Sequence, residues 1–156
     1  MAIELNQNAP LFTLKDTEKN DISLSDYTGQ NVVLLFFPLA FTGVCTAELC
    51  GIRDDLSSYN DLNTQVLAIS VDSLFSLGKF KEEQSLNFPV LSDFNKDVSA
   101  AYDAQYEEFV LNMKGVAKRA AFIIDGEGAV KYAEVLEDAG NLPNFEAIKN
   151  ILAGLQ

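Results

Sequence analysis

Six consecutive residues from Val32 to Phe37, VVLLFF, carry no polar side chain, and the run stops at Pro38. A short apolar run rich in β-branched and aromatic residues predicts a strand buried on both faces. Val66 to Val71, VLAISV, predicts a second. Between them Cys45, Leu49, Ile52 and Leu56 recur at helical spacing, which predicts a helix from about Thr42 to Tyr59. Further along, the pattern predicts a helix over Phe75 to Gln84, a short strand and turn in Asn87 to Asp93 with Pro89 at its edge, and a short helix near Val98 to Tyr102. Ala120 to Ile124 predicts a strand, Gly126 to Gly128 a turn and Val130 to Val135 the return strand. A closing helix over Phe145 to Leu155 would set Phe145, Ile148, Ile151, Leu152 and Leu155 on one face. Near the start, Phe12 to Leu14 and Ile22 to Leu24 flank the polar segment Lys15 to Asp21, as in a small hairpin.

Strand and helix alternate, then a hairpin and a helix close the chain. This order predicts an α/β domain in which a central mixed sheet is flanked by helices, and it resembles a thioredoxin-like fold with an added N-terminal β-hairpin. No repeat or linker-like stretch divides residues 1–156, so one domain is expected. A chain of this length with 48% hydrophobic residues can bury a substantial core.

Charge narrows the partners. Eleven basic residues against twenty-three acidic ones give a net charge of -12, the wrong sign for nucleic acid or an anionic membrane. No apolar stretch approaches the roughly 18 residues that span a bilayer. The N-terminal Met1-Ala-Ile-Glu-Leu-Asn lacks the pattern of a signal peptide, so a cytoplasmic location is expected. In a reducing compartment the two cysteines, Cys45 and Cys50, are expected to be reactive or buried rather than a structural staple. With no histidine in the chain, Cys-His and Ser-His pairs and histidine metal ligands are excluded. No metal and no cofactor is expected, and any chemistry must ionise a cysteine by other means.

If Thr42 caps the helix, Cys45 lies in its first turn, where free N–H groups and the positive helix end favour a thiolate. An ordinary cysteine, with a pKa of about 8.5, is a few per cent ionised at neutral pH. Complete ionisation therefore gains roughly 30-fold in rate, about 2 kcal/mol, too little for a fast enzyme. The site must also hold its substrate. Available donors are the Thr42 hydroxyl, the N–H groups of Val44 and Cys45, and Arg119 just before the predicted strand at Ala120. Each has a plainer reading: Cys45 as inert core, Pro38 as a strand end, Thr42 as a cap, Glu48 as a helix-start acid, Arg119 as an edge-strand charge. Arg53, the other arginine, reads as a solvated helix residue, and Phe36, Phe37, Phe41 and Phe80 read either as core or, in part, as the apolar rim of a substrate pocket or a dimer interface, which periodicity does not separate.

Pro38-x-x-x-Thr42-x-x-Cys45, with Arg119 before AAFIID, resembles the active-site pattern of the peroxiredoxins. FFPLAFTGVCTAEL looks like the AhpE-type branch, and a second cysteine five positions on resembles the BCP/PrxQ branch; the similarity runs from about Pro10 to Glu134. The resemblance implies a thiol peroxidase that reduces hydrogen peroxide or organic hydroperoxides. Cys45 would be the peroxidatic nucleophile, oxidised to a sulfenic acid. Thr42 and Arg119 would hold the peroxide oxygens, Pro38 would shield the thiolate, and Glu48 would orient an arginine. Thioredoxin or a glutaredoxin-like donor would serve as reductant, and a homodimer docked near Phe41 and Phe80 is expected from the AhpE-type likeness.

Cys50 would then be the resolving cysteine, closing an intramolecular disulfide. Five helical residues turn about 500° and rise about 7.5 Å, placing the two Cα atoms about 8 to 9 Å apart, beyond the roughly 7 Å that a disulfide bridges. The first turns must unwind for that bond to form. Three alternatives stay open: an idle Cys50 in a one-cysteine enzyme, a non-enzymatic binding domain with two buried cysteines, and a thioredoxin-like disulfide oxidoreductase. The latter chemistry ordinarily uses Cys-x-x-Cys, whereas the spacing here is Cys-x-x-x-x-Cys.

Overall fold

A computed structural model describes residues 3–156; Met1 and Ala2, which open the segment read for a signal peptide, lie outside them. The two apolar runs form adjacent parallel strands, β3 (Asn31–Phe36) and β4 (Thr64–Ser70), at the centre of a seven-stranded sheet. With β1 (Thr13–Asp16), β2 (Asp21–Ser23), β5 (Val90–Ser92), β6 (Arg119–Ile124) and β7 (Val130–Leu136), the strand order is β2-β1-β5-β4-β3-β6-β7. Only β3–β4 and β4–β5 pair in parallel; the β1–β2 and β6–β7 hairpins and the β1–β5 and β3–β6 pairs are antiparallel. The sheet is mixed, as the sequence predicts.

Every residue of β3 is buried, and alternation along it divides the core. Val33, Leu35 and Phe37 face one cluster, which takes in α1 (Gly43–Asp54), α2 (Leu56–Asp61), α3 (Leu74–Gln84) and α5 (Phe145–Gly154). Val32, Leu34 and Phe36 face the other, against Tyr102, Phe122 and α4 (Asp97–Ala101). A continuous apolar run is what a strand covered on both faces requires.

Three expectations change. The helix expected from Thr42 to Tyr59 is broken at Asp55 (φ -112°, ψ 14°) into α1 and α2. There the Asp55 carboxylate accepts the Ser58 hydroxyl at 2.7 Å and pairs with Lys149, so local side-chain bonds compete with helix continuation. Ile151 is 37% exposed, off the buried face made by Ile148 and Leu152. Phe41 is 52% exposed, whereas Phe36, Phe37 and Phe80 are fully buried. Phe80 therefore offers no docking surface to a second copy.

Candidate active site

The site grows from the end of β3. Past the strand, the Phe37 N–H still donates to the Ile69 carbonyl at 3.0 Å, and Pro38, also buried, opens the turn toward α1. The Asp72 carboxylate secures this turn, accepting the Ala40 N–H (2.8 Å) and the Ser70 hydroxyl (2.7 Å). Phe41 takes a left-handed conformation (φ 69°), unfavourable for a side chain of its size, and its ring packs edge-on to Phe80 at 5.2 Å. Thr42 then occupies the N-cap position. Its hydroxyl does not cap the helix, as the sequence led one to expect; it donates to the Leu39 carbonyl at 2.8 Å. The first helical bond runs from Thr46 N–H to the Thr42 carbonyl. The N–H groups of Gly43, Val44 and Cys45 therefore precede the helical ladder, in the turn that carries Cys45.

Arg119 begins β6, an interior strand between β3 and β7, and is 1% exposed. The edge-strand surface charge is thus ruled out. One terminal nitrogen, Nη2, donates to Cys45 Sγ at 3.1 Å and to the Ala139 carbonyl at 3.0 Å, and Nε reaches the same carbonyl at 3.2 Å. The other, Nη1, donates to Glu48 Oε1 at 2.7 Å. Cys45 and Glu48 are each 1% exposed. One helical turn of α1 thus presents a sulfur and a carboxyl to the two ends of a single guanidinium. Burial pushes the Glu48 carboxyl up to about 7, with Arg119 pulling it back only in part. Its second oxygen, Oε2, is buried and has no hydrogen-bond partner among the described residues.

Sulfur and guanidinium border a cavity of about 510 Å³ whose walls include Pro38, Leu39, Thr42, Val44, Phe109, Leu111 and Met113. Of its lining residues Cys45 and Arg119 are buried, whereas Thr42 is exposed and Val110 and Leu111 are 60% and 88% exposed. A larger cavity, about 650 Å³, lies apart, between β1 and the start of α4, and holds neither cysteine nor arginine.

Cys50 lies on another side of α1. Its thiol donates to Gln84 Oε1 at 3.4 Å at the end of α3, and both cysteines are free. Arg53 is not simply solvated: its Nη1 donates to the Gln84 carbonyl at 2.6 Å, and its own carbonyl accepts from Asn87. Among the described residues, no group of three or more His, Cys, Asp or Glu side chains is arranged to hold a metal ion.

The sequence model of the AhpC/TSA family matches residues 5–133. The chain belongs to that family. It is similar to a chloroplastic 2-cysteine peroxiredoxin of Chattonella marina var. antiqua, with 39% identity over 86% of this chain and 72% of that one. It is also 33% identical to a mitochondrial thioredoxin-dependent peroxide reductase of Drosophila melanogaster, over 97% of this chain and 65% of that protein. Its fold matches the crystal structure of the peroxidoxin BcpB from Mycobacterium tuberculosis with a TM-score of 0.87 and 25% identity, over 99% of both chains. The thioredoxin-like architecture expected of an AhpC/TSA member is the one present.

Within this family fold, Pro38, Thr42, Val44, Cys45 and Arg119 all border one cavity, and Glu48 stands directly behind the arginine. Cys50 does not join them. Two contributors escaped sequence reading. The Ala139 carbonyl accepts from Arg119 twice, yet an alanine in an acidic loop announces nothing, since a backbone acceptor has no residue signature. The Phe109–Met113 segment carried a usable signal, a mostly apolar FVLNM stretch between Glu107-Glu108 and Lys114.

Proposed function

We propose that this chain is a thiol peroxidase in which Cys45 reduces hydrogen peroxide or an organic hydroperoxide. The observation that carries the reading is Arg119 Nη2 at 3.1 Å from a buried cysteine sulfur at a helix N-terminus, inside a cavity open to small molecules. The guanidinium and the free N–H groups of Gly43, Val44 and Cys45 favour the thiolate. Attack forms an S–O bond and breaks the O–O bond, so two electrons pass from sulfur to peroxide and no cofactor is required. Thr42 Oγ1 has spent its proton on Leu39, which leaves its lone pairs to accept the O–H of the attacked oxygen. Arg119 supplies the opposite polarity, N–H donors for charge developing on the leaving oxygen. Pro38, buried at the wall, keeps water from the sulfur.

In this reading the Cys45 sulfenic acid condenses with Cys50, releasing water, once the first turns of α1 open. A dithiol of the thioredoxin or glutaredoxin type then reduces the disulfide; a relative named as a thioredoxin-dependent peroxide reductase supports that choice. The Cys50–Gln84 contact favours the rival, a one-cysteine cycle with Cys50 idle. Free thiols suit a reducing, cytoplasmic setting. A homodimer belongs to the same proposal, its docking face now narrowed to Phe41 and Val44; a 17.1 kDa particle in light scattering at every concentration rejects it.

Stopped-flow oxidation followed by intact mass tests the whole. One equivalent of peroxide should leave the wild type two hydrogens lighter with a Cys45–Cys50 link. Cys45→Ser should abolish turnover while keeping the fold, and retained activity there removes the assignment. Cys50→Ser should stop at a dimedone-reactive sulfenic acid and lose thioredoxin-linked turnover. Unchanged turnover in that variant selects the one-cysteine cycle.

A further inference from the structure

Arg119 is a single cation between two acids. Its Nη2 reaches Cys45 Sγ at 3.1 Å and its Nη1 reaches Glu48 Oε1 at 2.7 Å, and all three side chains are 1% exposed or less. Two anions against one guanidinium would bury an uncompensated negative charge, which a dry site strongly resists. Near neutral pH the cluster therefore accommodates one anion at a time, and a proton missing from one acid resides on the other.

The surroundings decide which acid keeps the proton. The sulfur also lies in the first turn of α1, at the positive end of the helix and ahead of its first backbone hydrogen bond. Among the described residues Glu48 has no donor besides Arg119, and no protein group pairs with Oε2, a condition far costlier for a charged carboxylate than for a neutral acid. On its far side Glu48 borders a small cavity of about 180 Å³ shared with Asp55 on the α1–α2 break and Tyr59 of α2. Neither competes for the proton. Asp55 is held ionised below the ordinary carboxylate range by hydrogen bonds from Lys149 and Ser58, and burial keeps Tyr59 neutral, pushed up to about 12. The geometry thus favours the negative charge on the sulfur and the proton on Glu48.

We propose that Cys45 and Glu48 share one proton across Arg119, and that oxidation of the sulfur is matched by release of that proton from Glu48. The inference rests on the peroxidase reading above. The thiolate attacks the terminal peroxide oxygen: the S–O bond forms, the O–O bond breaks, and the sulfenic acid keeps the hydroxyl hydrogen. The leaving oxygen departs as an alkoxide or hydroxide and takes up one proton. Sulfur has now lost its charge, so Glu48 becomes the only anion facing Arg119 and ionises. Thiolate, carboxylic acid and hydroperoxide become sulfenic acid, carboxylate and alcohol (or water), with hydrogen and charge balanced and no net proton drawn from solvent. Glu48 acts here as a positioning and proton-storing residue, since nothing places it in contact with the peroxide.

The test is proton counting in weakly buffered solution at neutral pH, with an indicator dye, during a single turnover of Cys50→Ser protein by one equivalent of hydrogen peroxide. Ionisation of the sulfenic acid is followed separately in each protein, from the pH dependence of its reaction with dimedone, and subtracted from the proton count. Glu48→Gln, which keeps the shape and cannot store the proton, should take up more protons per Cys45 oxidised than protein with Glu48, by up to one. Equal uptake in the two overturns the proposal. Infrared difference spectra of protein retaining Glu48 need no folded Glu48 variant: oxidation should remove the C=O stretch of a protonated carboxylic acid, and its absence from the reduced state also overturns it. Failure of the peroxidase reading looks different, because intact mass would then show no oxygen added to Cys45.

Discussion

Cys45 and Cys50 stand on one helix with four residues between them, and the fold treats them as opposites. Cys45 enters the helix before the backbone ladder begins, is 1% exposed, and meets a guanidinium. Cys50 sits past the first turn, is partly exposed, and meets the neutral side-chain amide of Gln84. Sequence neighbourhood is the same, and so is the element. What differs is position along the helical ladder and the partner supplied by the opposing element, β6 for one and α3 for the other. In the proposed function, reactivity is therefore a property of where a thiol lies relative to the helix N-terminus and a buried cation, not of the residue alone.

Removing the cation is the sharpest way to break the contrast. Arg119→Met should slow the second-order reaction of Cys45 with peroxide by roughly 100-fold or more, about 3 kcal/mol, because a charged transition-state donor and the thiolate's partner vanish together. Alkylation of Cys45 by iodoacetamide at neutral pH should slow as well, drawing closer to that of Cys50. A peroxide rate within about threefold of wild type would mean that the guanidinium takes no part in the reaction.

The carboxyl behind Arg119 gives the Cys45 side a pH signature that the Cys50 side lacks. Glu48 titrates at about 7 when folded against an ordinary 4.5. Below pH 4.5 it is protonated in both states and contributes nothing. Between 4.5 and 7 the unfolded chain ionises while the folded protein retains its proton, so stability falls as pH rises, by up to about 3 kcal/mol in all. Glu48→Gln lacks this loss and keeps Arg119. Urea unfolding of both proteins, reduced, at several pH values should show the wild type declining relative to the variant across that window. A constant difference would mean that Glu48 is already ionised at its lower end.

The same contrast explains what could be read from residues alone. Val32–Phe37 declares a doubly covered strand because burial on both faces leaves no room for polar alternation, and the observed strand, Asn31–Phe36, follows. Cys45, Thr42 and Arg119 were legible as a group through their spacing. The direction of the Thr42 hydroxyl was not, since it turns on the Leu39 carbonyl, which any residue at that position would present. Nor was the break at Asp55 legible, because apolar spacing continues through it to Leu56 and Tyr59 while a carboxylate diverts the backbone. Burial of Phe80 beside exposed Phe41 was likewise hidden, as both are simply apolar until the turn at Phe41 adopts its left-handed conformation.

The smallest effect is expected where the two thiols must meet. Gly51 follows Cys50 inside α1, has no positive φ, and a Cβ placed there would meet nothing within 4 Å. Gly51→Ala should therefore stabilise the wound helix by about 1 kcal/mol without touching either sulfur. If disulfide formation waits on local unwinding, the conversion of sulfenic acid to disulfide should slow by roughly fivefold, the rate equivalent of that stabilisation. The preceding reaction with peroxide should be unchanged, since Cys45 attacks from the intact helix. Gln84→Ala offers the opposite sign: it removes the acceptor of the Cys50 thiol but leaves the Gln84 carbonyl that Arg53 holds, so the segment should open somewhat faster. Rapid-quench mass spectrometry after one equivalent of peroxide separates the two steps. Disulfide formation equally fast in wild type, Gly51→Ala and Gln84→Ala would show that unwinding at Cys50 does not limit it, and that its rate is set instead by the chemistry at Cys45.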